Sequence, residues 1–200
     1  MEGIFFYWFS WIGWTILTFF KEKGRERLIY VYILLLSIIG STIKVEAGPF
    51  LVSGTLVILL ISCYSRLTYY DRALKVRMGI ITVILSLAYT SYLLFEMYDP
   101  VWFFLDRRFV LALLLVYVTC ILLKEFEHRL IGLVVGAGQG DFLYSYVLSP
   151  YTNYQVGALS FLDIAANAVV MVLIWQGISY GVEYINRYTR SQARQSVSNK

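Results

Sequence analysis

The sequence predicts an all-α fold, a polytopic membrane helical bundle of seven transmembrane helices with the N-terminus out and the C-terminus in. Three observations predict it. The chain is 59% hydrophobic and 15% charged, against roughly 45–50% and 25% in a soluble domain. Its apolar residues gather into seven runs, near 3–20, 28–43, 50–65, 78–95, 106–123, 130–148 and 161–182. Each run is close to the roughly 20 residues that a helix needs to cross ~30 Å of hydrocarbon. The cations lie between the runs, gathered on alternate sides.

Each run has readable borders. The first carries Trp8, Trp11 and Trp14 and ends at the basic stretch Lys21–Arg27. The chain opens Met1-Glu2-Gly3 without a basic leader or a small-residue cleavage site, so this run is expected to be a retained helix. Runs two and three are parted by Lys44–Pro49, where Gly48 and Pro49 punctuate the chain. A charged loop, Arg66–Arg77, precedes run four, and Glu96–Pro100 closes it. Val101–Leu105 suits an interfacial lead-in to run five, with Trp102 at headgroup depth. Lys124–Arg129 leads to run six, and a Tyr-rich loop around Pro150 leads to run seven. Residues 1–184 are therefore one bundle. Residues 185–200 are a polar cytoplasmic tail, expected to be disordered.

Charge sidedness sets the threading. The loops after runs one, three and five, with the tail, hold fourteen of the 17 Lys and Arg residues. Only Lys44, Arg107 and Arg108 fall on the other side. Positive residues collect on the cytoplasmic face. A run six that did not cross would put the basic tail outside, so seven crossings are favoured over six. The net charge of +4 is spent on orientation, and no nucleic-acid partner is expected. Cys63 and Cys120 lie in apolar runs near the cytoplasmic ends and read as buried free thiols.

Two constellations stand out. Gly132, Gly136 and Gly140 share one helix face at four-residue spacing, and run seven carries Gly177 and Gly181 at matching depth. Such glycines let helix backbones approach closely. They predict tight packing of runs six and seven at their inner halves, or, in a functional reading, a homodimer face. The second is an intramembrane polar cluster: Asp141 with Tyr144 on run six, Asp163 with Asn167 on run seven, and Arg107 and Arg108 entering run five from the same side. Ionisable groups at such depth are costly and mark function or mutual pairing. The plainer expectation is that one Arg pairs with one Asp and locks the bundle. The alternative is an ion or solute site formed by Asp141, Asp163 and Asn167.

Gly138-Gln139-Gly140-Asp141 also resembles the G-x-G-D stretch of presenilin-type intramembrane aspartyl proteases and of prepilin peptidases. That resemblance implies a pair of carboxylates sharing a proton, one as acid and one as base. It covers about a dozen residues. Run five lacks the Tyr-Asp pair of those enzymes: Tyr70-Asp71 lies in an inner loop and Tyr98-Asp99 in an outer turn. Their Pro-Ala-Leu motif is missing, with Gly157-Ala158-Leu159 in its place, which leaves Asp163 as second acid. Glu125, Glu127 and His128 share a loop without a second histidine, so no metal is expected. No cofactor fingerprint is present either.

Taken whole, the opening MEGIFFYWFSWIGWTILTFF and the segment GAGQGDFLYSYVLSPY resemble the YphA family of small bacterial multi-pass membrane proteins. The resemblance implies a bacterial plasma membrane and assigns no activity. The leading expectation is a non-enzymatic protein acting through the lipid bilayer, membrane-protein partners, a second copy of itself or a structural role. A small carrier or channel comes second, and an aspartyl protease third.

Overall fold

A computed structural model of the chain describes residues 2–48, 50–98, 106–152 and 154–198, with backbone alone for Ala47 and for 186–198. Among the described residues seven helices form: α1 (Ile4–Phe19), α2 (Arg25–Gly40), α3 (Gly54–Leu67), α4 (Arg72–Tyr98), α5 (Arg107–Leu122), α6 (Phe126–Leu148) and α7 (Leu159–Ser198). Two of them, Arg72–Tyr98 and Leu159–Ile185, are long and apolar enough by themselves to cross a bilayer. Helices α1 and α3 are apolar but shorter, and sixteen residues rise only about 24 Å.

The helices run between two ends. At one end the backbone of Gly3 meets Asp163, Arg108 meets Asp163, and a strand from the loop before α7 pairs with a hairpin before α3. At the other, Arg66 donates to Tyr30 Oη, Arg77 to the Leu122 carbonyl and Arg129 to the Leu123 carbonyl. Helix α6 sits in the middle. From Ile131 to Gly138 every residue is buried, as expected for a helix walled in on all sides. Its long partner is α4, whose Leu85 and Tyr89 are fully buried. Ala112 and Val116 of α5 pack with Ala168 and Val172 of α7. Large apolar side chains ring the outside, among them Trp8, Ile16, Ile61, Ile80, Leu87, Leu113 and Ile174.

Three features differ from the all-α expectation. A small sheet forms, with strands β1 (Lys44–Ala47), β2 (Phe50–Ser53) and β3 (Gln155–Val156) in that order. β1 and β2 are antiparallel, and β2 pairs parallel with β3 through Leu51↔Gln155 and Val52↔Val156. The third apolar run therefore starts as a strand and becomes helix only at Gly54. A four-residue apolar stretch carries no periodicity that separates strand from helix. Gly54 then lets α3 cross α2 closely: a Cβ there would sit 2.9 Å from the Gly40 carbonyl oxygen. The tail is the second difference. Its backbone continues α7 as helix to Ser198, since extending a helix adds one hydrogen bond for each residue fixed. Third, α4 starts six residues before its apolar run and α2 three. The expected lead-in Val101–Leu105, Trp102, Asp99, Pro100 and Pro49 lie outside the described residues.

Candidate functional site

Asp141 is fully buried in the C-terminal third of α6, and the glycines before it explain how it is reached. A Cβ on Gly140 would stand 2.7 Å from the Tyr89 Cβ. Its absence lets the Tyr89 ring lie against α6, and Tyr89 Oη then donates to Asp141 Oδ1 at 3.0 Å. Thr90 ties the same place by donating to the Gly140 carbonyl at 2.9 Å. Gly138 admits Leu56 of α3 in the same manner.

The other donors to Asp141 come from the loop before α7. Tyr154 Oη donates to Oδ1 at 3.1 Å and the Gly157 backbone N–H to Oδ2 at 2.6 Å. Burial first, then the Asp141 charge, push the Tyr154 hydroxyl up from its ordinary value, so it stays protonated as a donor. Gly157 has φ +71°, and a Cβ there would lie 2.8 Å from the Leu56 Cβ. Only glycine turns the chain there without strain. Asp141 thereby fixes the loop that carries β3 onto the sheet.

Asp163, also fully buried, does different work. Its Oδ2 accepts from the Gly3 N–H at 2.8 Å and from Arg108 at 2.8 Å, and its Oδ1 accepts from the Phe6 N–H at 3.0 Å. The first N–H groups of a helix lack intrahelical acceptors. Gly3, the N-cap of α1, has no side chain to supply one, so a carboxylate on α7 caps α1 instead. Negative charge is also favoured at a helix N-terminus. Arg108 is steadied by Asp106, which accepts its backbone N–H at 3.0 Å and lies 3.9 Å from its guanidinium.

The six residues of the expected polar cluster thus separate. Arg108 and Asp163 are paired. Asn167 stays beside Asp163, donating to its backbone carbonyl at 2.8 Å. Tyr144 packs edge-on against the Tyr154 ring, 5.2 Å between centroids, and Arg107 is exposed. Among the described residues, the donors to Asp141 and those to Asp163 have no member in common. A pocket of about 300 Å³ opens beside the sheet, with Glu46, Phe50, Ser145, Thr152 and Tyr154 in its walls. A larger groove of about 580 Å³ runs along α1 past Trp8, Trp11 and Ile16. Neither is lined by Asp141, Asp163 or Asn167. His128 lies 3.3 Å from Glu125 and edge-on to the Tyr70 ring. Among the described residues no three His, Cys, Asp or Glu side chains are grouped to hold a metal.

The glycine face needs a correction. Gly136 and Gly140 pack against α4, on Leu85 and Tyr89, while Gly132 lies closest to Leu123 at the end of α5 with Met78 of α4 beyond it; none of the three packs against Gly177 or Gly181. The last two are exposed, and a Cβ on either would meet nothing within 4 Å. Large side chains at four- and three-residue spacing on α4 fill the glycine groove, so a second glycine face is not required. The partners that sequence reasoning missed are Tyr89, Tyr154, Gly157, Gly3 and Phe6. Three of these act through backbone N–H groups, which every residue type but proline shares.

A protein-family model described as YphA-like integral membrane protein matches residues 2–198. The chain belongs to this family. It is an integral membrane protein, in keeping with its outward apolar side chains. The YphA-like chain is 29% identical over 175 residues to the uncharacterized protein YphA of Bacillus subtilis (strain 168), a match that covers 86% of each. No solved structure matches.

Proposed function

We propose that this protein is a seven-span component of the bacterial plasma membrane that acts by presenting a fixed shape to membrane partners, without catalysing a reaction. Its N-terminus faces out and its C-terminus faces in. One observation carries the reading: among the described residues, Asp141 and Asp163 each already accept three hydrogen bonds from donors of the chain itself. A proteolytic pair needs two carboxylates that share a proton or one water, and a carrier needs a carboxylate open to its cargo. Here one carboxylate ties down the loop before α7, and the other ties α1 and α5 to α7. The sidedness of the cations supports the threading. The two short apolar helices gain reach from their flanks, with β2 leading into α3.

The test compares abundance in membranes and melting temperature in detergent for Asp141→Asn and wild type. A clasp loses strength when its charge is removed, so both quantities fall. A catalytic acid predicts the opposite pattern, with abundance and melting temperature unchanged. Unchanged values would overturn the reading.

A further inference from the structure

Helix α7 changes character at Gln176. Up to Val172 it is embedded in the bundle, with Ala168 and Val172 fully buried. At Gln176 it meets Arg129, which donates to Gln176 Oε1 at 3.4 Å while its Nε holds the Leu123 carbonyl at the end of α5. That contact marks the inner end of the bundle. From Gly177 to Ile185 every residue is exposed, including Ile178, Tyr180, Val182 and Tyr184, yet the helix continues to Ser198. Twenty-two residues of helix rise about 33 Å.

Composition says what such an extension meets. Ile174, Ile178, Val182 and Ile185 recur at the spacing of one helix face. Past Gln176 the chain carries four cations, Arg187, Arg190, Arg194 and Lys200, against one anion, Glu183. In water, a helix holding Gly177 and Gly181 and bare aliphatic side chains has little to stabilise it. At an interface the aliphatic face enters the acyl boundary, the tyrosines sit at headgroup depth, and the cations meet lipid phosphates.

We propose that residues 177–198 form a lipid-recognition helix that binds the anionic phospholipid headgroups of the leaflet from which it emerges. Naming that leaflet the inner one rests on the threading proposed above. Binding to an anionic surface strengthens by roughly fivefold for each basic residue near it and is screened by salt.

The experiment uses the full chain with Cys63→Ala and Cys120→Ala, and a fluorophore on Gln192→Cys. It is reconstituted as single copies in nanodiscs of phosphatidylcholine alone or mixed with phosphatidylglycerol. Quenching by acrylamide, a neutral reagent, reports exposure to water. The expected result is several-fold weaker quenching in phosphatidylglycerol discs. High salt, or Arg187→Gln with Arg190→Gln and Arg194→Gln, restores it. Equal quenching in both discs overturns the proposal. So does shielding that persists in the triple variant, since that assigns the helix to a protein surface. Both leaflets of a disc have one composition, so the outcome is independent of threading, which cysteine labelling in cells tests separately.

Discussion

The carboxylate of Asp163 accepts a hydrogen bond from the backbone N–H of Gly3 at 2.8 Å, joining positions 160 residues apart. The last helix of the bundle thus caps the first. Because Arg108 reaches the same oxygen, three helices meet at one charge.

This junction predicts an asymmetry between its two ionic partners. Asp163→Asn removes the acceptor charge from two backbone N–H groups and leaves the guanidinium, whose side chain is only 16% exposed, without its buried partner. Breaking a buried pair in this way costs about 3 kcal/mol or more. Arg108→Gln leaves Asp163 with both N–H donors and costs less. Melting temperatures in detergent, with the double variant closing the cycle, give the ranking Asp163→Asn below Arg108→Gln below wild type. The reverse order would show that the charge pair outweighs the helix cap.

The α4–α6 contact predicts opposite effects for two glycines that look alike in sequence. A Cβ on Gly136 would lie 2.5 Å from the Leu85 Cβ and 3.3 Å from the Thr82 carbonyl oxygen. Gly136→Ala is therefore overpacked and loses about 1–3 kcal/mol. Gly177→Ala meets open space, so it is neutral or gains up to about 1 kcal/mol from helix propensity. Leu85→Gly, which removes the Cβ that the new methyl group would meet, combined with Gly136→Ala recovers part of the loss, which thermal melts of the four variants would show. Independent, additive losses at 85 and 136 would place the glycine face against something else.

Threading is tested by cysteines at two highly exposed tyrosines, in a background without Cys63 and Cys120. Tyr151 follows α6 and Tyr69 precedes α4, and both are more than four-fifths exposed. With seven spans and the N-terminus outside, a membrane-impermeant maleimide labels Tyr151→Cys in intact cells. Tyr69→Cys reacts only after permeabilisation. Labelling of both sites in intact cells, or the reverse pattern, would contradict the proposed arrangement.

Much of the architecture was legible because hydrocarbon leaves a coarse mark. Seven apolar runs mapped onto seven helices, and Asp141 was conspicuous as a charge inside one of them. The glycine face of α6 was equally plain, but its partner was not. Leu85 and Tyr89 look like any large residues in an apolar run, whereas Gly177 and Gly181 suggested themselves by likeness alone. The cap on α1 was invisible for a different reason. Its donors are backbone N–H groups at Gly3 and Phe6, and Gly3 carries no side chain to advertise a helix start. The hairpin escaped because Phe50–Ser53 is too short to display a period. The helical tail escaped because its polar composition suggests a solvated coil.

Hydrogen exchange of the two clasped backbone segments tests most directly whether each carboxylate serves to hold its own piece of chain. The peptides to follow are those covering Gly3–Tyr7 and Tyr154–Ala158, in wild type, Asp141→Asn and Asp163→Asn. The predicted result is separable: Asp141→Asn speeds exchange at 154–158 and leaves 3–7 protected, and Asp163→Asn does the converse. Exchange unchanged in both segments by either variant would contradict the clasp account.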